Sequence, residues 1–151
     1  MKPNSCSESY YALIGEIIAY PLANLSMPPM QILGKHVTSG DISVVSNTGV
    51  ISLQLGSSSP AGLTEQQTSS DNTRIYNDTV TFAVSNPSAA AMQQLEQLRS
   101  TPHHLLLRSA NEGRMWLPCL DTGYRCTLVE KDSCIEVSIE ISQCCGSLRQ
   151  L

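Results

Sequence analysis

Cys134-Ile135-Glu136-Val137-Ser138-Ile139-Glu140-Ile141-Ser142-Gln143 is the stretch that decides the fold class. Ile135, Val137, Ile139 and Ile141 fall on one parity, and Glu136, Ser138 and Glu140 on the other. A period of two is the signature of a strand with one buried face, because successive side chains point to opposite sides of a sheet. The apolar parity therefore covers a core. The two glutamates face solvent, a lumen or a neighbour, and on an edge strand they would also discourage unwanted pairing.

Working back from this strand, Tyr124 to Glu130 reads as another, set off by the turns Lys131-Asp132-Ser133 and Asp121-Thr122-Gly123. His104 to Ser109 and Arg114 to Leu120 flank Ala110-Asn111-Glu112-Gly113, whose Asn and Gly favour a β-hairpin turn. Upstream, the spacing predicts one helix over residues 87–100. Asn86 would be its N-cap and Pro87 its first helical residue, with Ala91, Met92, Leu95 and Leu98 forming the apolar stripe. Val80, Phe82 and Val84 alternate with Thr79, Thr81 and Ala83 as a strand before it.

Residues 56–74 are rich in Ser and poor in apolar side chains, with Gly56, Pro60 and Gly62 among them, and they read as one long loop. A loop of that length inside a compact domain calls for binding, ordering by a partner, or disorder. Lys35 to Val45 and Val50 to Leu55 read as two strands joined by Ser46-Asn47-Thr48-Gly49, and Tyr10 to Tyr20 as a strand ended by Pro21. Residues 1–9 are polar without a period and form an N-terminal arm. Residues 10–151 then make a single β-rich domain.

Composition narrows the classes of function. Ser, Thr, Asn and Gln number 47 of 151 residues while charged residues make up only 15%, so the surface is polar mainly without charge. Nine basic against thirteen acidic side chains give net −4, which disfavours tight binding to phosphates. No apolar run reaches the ~18 residues of a membrane span, and Glu16 interrupts the most apolar N-terminal stretch, so no membrane and no classical secretory signal are expected. The six cysteines lack the short pairs of a zinc site, and Cys119, Cys126 and Cys134 are expected to be small buried hydrophobes on or beside strands.

The search for chemistry finds no nucleotide loop, since the residue after Gly34-Lys35 is His36 and Pro29 stands where the first glycine would be. Adjacent His103 and His104 should point to opposite faces of a strand, and the expectation for them is a surface or interface position. No cofactor, metal or catalytic residue is assigned. Trp116, the single tryptophan, is either an interface anchor or a core residue.

The order Asp78 to Val84, then Ala90-Met92-Leu95-Leu98, then His104 to Arg108, Asn111 to Leu117, Gly123 and the alternating strand resembles small virion proteins of tailed bacteriophages, of the tail-tube, neck-ring or adaptor type. The resemblance covers roughly residues 75–142. It implies a mainly β fold, an antiparallel β-sandwich or rolled sheet flanked by one α-helix. It also implies a non-enzymatic subunit that assembles in the host cytoplasm and resides in a virion tail or neck. Its partners would be copies of itself in a ring, adjacent tail or neck proteins, and DNA passing through the lumen without specific binding. A head-to-tail ring needs two complementary patches, for which Ser57, Ser58, Ser59, Pro60, Thr64, Glu65 and Trp116 are the interface candidates. Glu136 and Glu140 are the lumen-facing candidates, because carboxylates there would repel a DNA backbone; a salt bridge at the outer surface would remove that role. The competing expectation is a monomeric β-sandwich that binds or decorates, as a fibre or receptor-contact module of a virion, through loop 56–74 and Trp116.

Overall fold

The structure is a computed structural model that describes residues 9–26, 36–37, 42–55, 61–70, 73–109, 113–119, 123–143 and 148–150. The alternating strand is β11, Cys134–Gln143. It pairs antiparallel with β10, Tyr124–Lys131, on one side and with β7, Thr73–Ser85, on the other. Ile135, Val137, Ile139 and Ile141 are buried, and Glu136 and Glu140 are exposed, as the alternation requires.

The expected loop 56–74 is corrected. Ala61–Ser70 forms a strand, β6, paired antiparallel with β7 from Gly62↔Thr81 out to Ser70↔Thr73. Only Ala61 and Leu63 of β6 are buried hydrophobics, so its sequence carries too little apolar signal to read as a strand alone. The ladder to β7 supplies what the side chains do not, since every paired residue satisfies backbone groups that would otherwise need water. Beyond Glu65↔Asp78 the two strands continue as a ribbon that is polar on β6 and carries Ile75 and Tyr76 on β7.

A thirteen-residue strand, β1 (Ser9–Pro21), is the spine of the molecule. One edge of β1 pairs with β6 over Ser9 to Ile14 and then with β5, Ile51–Gln54, over Glu16 to Ala19. Its other edge pairs with β8, His103–Ser109, which forms the expected hairpin with β9, Gly113–Leu117. Two short strands, Leu148–Gln150 and His36–Val37, extend the sheet beyond β9, the second of them parallel to the first.

The resulting order runs from β10 through β11, β7, β6, β1 and β8 to β9. Laid flat, those seven strands would hold β9 and β10 ~29 Å apart at ordinary strand spacing. Yet only Pro118 to Gly123 join Leu117 to Tyr124 in sequence, a reach of ~25 Å even when fully extended. The sheet must therefore roll. It does: Leu117 and Cys119 from one end and Cys126 from the other share one hydrophobic cluster with Ile17, Leu63, Val80, Leu105 and Ile139.

The single helix, α1, spans Ala89–Ser100 and packs Leu95 and Leu98 into that cluster, with Met92 beside them. Its N-cap is Ser88, whose hydroxyl accepts from the Ala91 N–H at 3.1 Å, rather than the expected Asn86. Asn86 is held in a left-handed conformation with φ 47 and donates its N–H to the Ser133 carbonyl, tying the end of β7 to the turn between β10 and β11. The helix consequently starts after Pro87. Tyr124 of β10 donates to the Leu98 carbonyl at 2.7 Å and locks the far end of α1 to the sheet.

The opposite face of β1, β8 and β9 is covered as well. Tyr20, Leu25, Ile42, Leu106 and Trp116 form a second cluster, closed by the segment that carries β2 (Leu25–Ser26) and β4 (Ser43–Val44). Those two strands pair with each other, so the expected hairpin of residues 35–45 with 50–55 is also corrected: β5 belongs to β1 instead. The turn at Thr48-Gly49 is present, with Gly49 at φ 79.

Candidate functional site

The face of β7, β11 and β10 that points away from the core has no cover among the described residues. In register, Ala83, Glu136 and Val129 form one cross-strand row and Thr81, Ser138 and Thr127 the next. The small side chains Ala83, Ser138, Thr81 and Thr127 leave a shallow trough of ≈ 370 Å³ lined by these six residues with Phe82 and Val137. Val129, at 46% exposure, is its apolar wall. Its charged wall is Glu136, whose carboxylate lies 3.3 Å from the Lys131 ammonium across β10 and β11.

Both partners of that ion pair are exposed, and Glu136 shares its face with the other lumen-facing candidate, so the two carboxylates belong to one surface. Glu140 sits on the same face between Arg125 and Thr79. Ser57, Ser58, Ser59 and Pro60 lie outside the described residues, as do most of the arm 1–9 and the pair Cys144-Cys145. Thr64 is half-buried on β6, opposite Thr79. Glu65 is buried, on the core-side parity with Leu63 and directly across from buried Asp78, and so is not a surface contact.

Trp116 is 5% exposed, with its ring 5.8 Å from that of Tyr20, and it occupies the core alternative rather than a surface anchor position. The signal that could have shown this is the run Met115-Trp116-Leu117-Pro118-Cys119, in which every residue is buried. A continuous apolar run marks a strand covered on both faces.

The two histidines depart furthest from expectation. His103 and His104 are 2% and 6% exposed, at the start of β8. Nδ1 of His104 accepts the Cys119 backbone N–H at 2.9 Å, which fixes that nitrogen without a proton, and the ring also bonds the Leu22 backbone. Burial pushes His104 down to about 4, opposed in part by that Leu22 bond and slightly reinforced by His103. His103 donates from Nδ1 to the Thr101 carbonyl at 2.8 Å, and burial lowers its pKa as well. Both imidazoles are thus engaged with backbone groups.

Cys119 and Cys126 are free and buried, and Cys134 is free and half-buried. Burial drives the Cys126 thiol up to about 11, away from thiolate reactivity. Among the described residues no group of three His, Cys, Asp or Glu side chains is placed to hold a metal ion. The arrangement offers surfaces: a bare polar sheet face with a shallow trough, and a β-ribbon. No family model, no curated protein and no solved structure matches the chain.

Proposed function

We propose that the chain is a structural subunit of a phage tail tube or neck ring, assembling with copies of itself and with adjacent tail or neck proteins around a passage for DNA. The observation that carries this reading is the β6–β7 ribbon. Beyond Glu65 on β6 and Tyr76 on β7, no strand among the described residues flanks it, although its own ladder continues to Ser70↔Thr73. A two-stranded ribbon by itself is marginal in water. Such a ribbon gains stability by packing against another chain.

The rest of the molecule suits the same role. The unclad face of β7, β11 and β10 carries Thr, Ser and Glu, and the polar atoms of the buried histidines are engaged with backbone. Net −4 and Glu140 on that face would repel rather than retain a DNA backbone. The trough favours a second reading, a monomeric binding or decoration module of a virion that takes a ligand between Glu136 and Val129.

Mass photometry and electron microscopy of the purified chain separate the two. Rings are the expected result, and replacement of Gln67–Tyr76 by a two-residue Asn-Gly turn should leave a folded monomer with its Trp116 fluorescence intact. A chain that stays monomeric at tens of micromolar would overturn the ring reading in favour of the second.

A further inference from the structure

We propose that His103 and His104 form an acid-sensitive clasp at the seam of the rolled sheet, so that protonation of His104 releases the chain at Cys119, just past the end of β9, before the rest of the sheet unfolds. The clasp is independent of assembly and depends on where the two rings sit. The crossing from β9 to β10 is the short segment that keeps the two ends of the sheet together. His104 holds its beginning, through the Cys119 N–H, and holds the turn at Leu22 as well. The end of the crossing is Tyr124, whose ring lies 6.4 Å from that of His103 and whose hydroxyl bonds the Leu98 carbonyl.

The chemistry of His104 makes this contact pH-dependent. A neutral imidazole has one acceptor nitrogen, and the Cys119 N–H occupies it; an imidazolium has only donors. Protonation therefore turns the hydrogen bond into a donor facing a donor. His103 keeps its bond to Thr101 in either state, since that nitrogen already carries the proton, so the trigger is His104 alone.

Among the described residues, the titratable groups that face the pair are tyrosines and cysteines. Tyr20 stands opposite His104 on β1, and Tyr124, with Cys119 and Cys126 beside it, faces His103 from β10. On α1, Glu96 and Arg99 pair with each other at the surface. Among the described residues no carboxylate forms an ion pair with either imidazole.

Amide hydrogen exchange of the full chain, read at Cys119 and at Ile139 across pH and urea concentration, tests the clasp. After correction for intrinsic exchange, protection at Cys119 should fall on the order of a hundredfold between pH 7 and pH 4, with little dependence on urea. Ile139 at the centre of β11 should stay better protected and respond steeply to urea. In H104Q the pH dependence at Cys119 should vanish, and if that variant does not fold the wild-type urea slopes decide alone. Equal opening energies and equal urea slopes at the two sites would overturn the proposal, as would full Cys119 protection at pH 4.

Discussion

Every side chain of β8 from His103 to Leu107 is buried, whereas along β11 burial alternates residue by residue from Ile135 to Ile141. Both strands lie in one sheet and share one core. They differ in what covers their second face: Leu25 and Ile42 close over Leu106 and its sheet neighbours Tyr20 and Trp116, while nothing among the described residues lies over Glu136, Ser138 and Glu140. The contrast explains their sequences, a continuous apolar run for a strand between two layers and strict alternation for a strand with one wet side. It also locates the available surface. A partner has room on the β7, β11 and β10 side and none on the β8 side.

Trp116→Ala tests the covered side most severely. The loss of a buried aromatic from the second cluster should lower unfolding free energy by about 3–5 kcal/mol in urea titrations. A loss under about 1 kcal/mol would mean that the cover over β8 is optional.

Acid sharpens the same contrast, because both buried histidines belong to β8. His104 is depressed from 6.5 to about 4, so the unfolded chain takes up a proton first as the pH falls. Its contribution is full above pH 6.5, declines toward pH 4 and is then lost, a total of about 3 kcal/mol. Urea midpoints of wild type and H104Q across that window measure it.

Gly123→Ala probes the seam between the two regions. Gly123 has φ +78, and a Cβ there would collide with the carbonyl oxygen of Ser142, the residue whose N–H bonds the Gly123 carbonyl at 3.0 Å. The substitution should cost at least about 2 kcal/mol in thermal or urea unfolding, since both conformation and space exclude it. Ser88→Ala, which removes the cap of the helix beneath β10, should cost about 1 kcal/mol by the same measurement.

On the bare side, Glu136→Gln should change stability by less than about 0.5 kcal/mol, because its ion pair with Lys131 is exposed on both partners. A larger loss in the isolated chain would show that this face is not wet.

The same physics sets what was legible beforehand. β11, the strand through Val80 and Phe82, and the helix through Leu95 and Leu98 were readable because each has a local period that matches its burial, and the hairpin of β8 and β9 because two apolar runs flank an Asn-Gly-containing turn sequence. The β6–β7 ribbon was not, since Gln66, Gln67, Thr68, Ser69 and Ser70 have no apolar face, and their order comes from a ladder rather than from side-chain burial. The pairing of β5 with β1 was hidden for another reason. Ile51 and Leu53 mark a strand but say nothing about which of two edges it will join.

The candidate surfaces followed the same division. Glu136 and Glu140 were correctly set on the polar parity, but the Lys131 partner depends on the register of β10. The burial of the histidines could not be inferred from their neighbours, because it depends on Leu22, Cys119 and Tyr124, all distant in sequence.

The position of β1 has a kinetic consequence. Synthesised first, it needs β5 and β6 on one edge and β8 on the other, the last of these not complete until Ser109. The spine therefore emerges from the ribosome long before its second neighbour exists, and loop-closure entropy must be overcome before those pairings reward it. Refolding is accordingly expected on the millisecond-to-second scale of sheets built from distant segments.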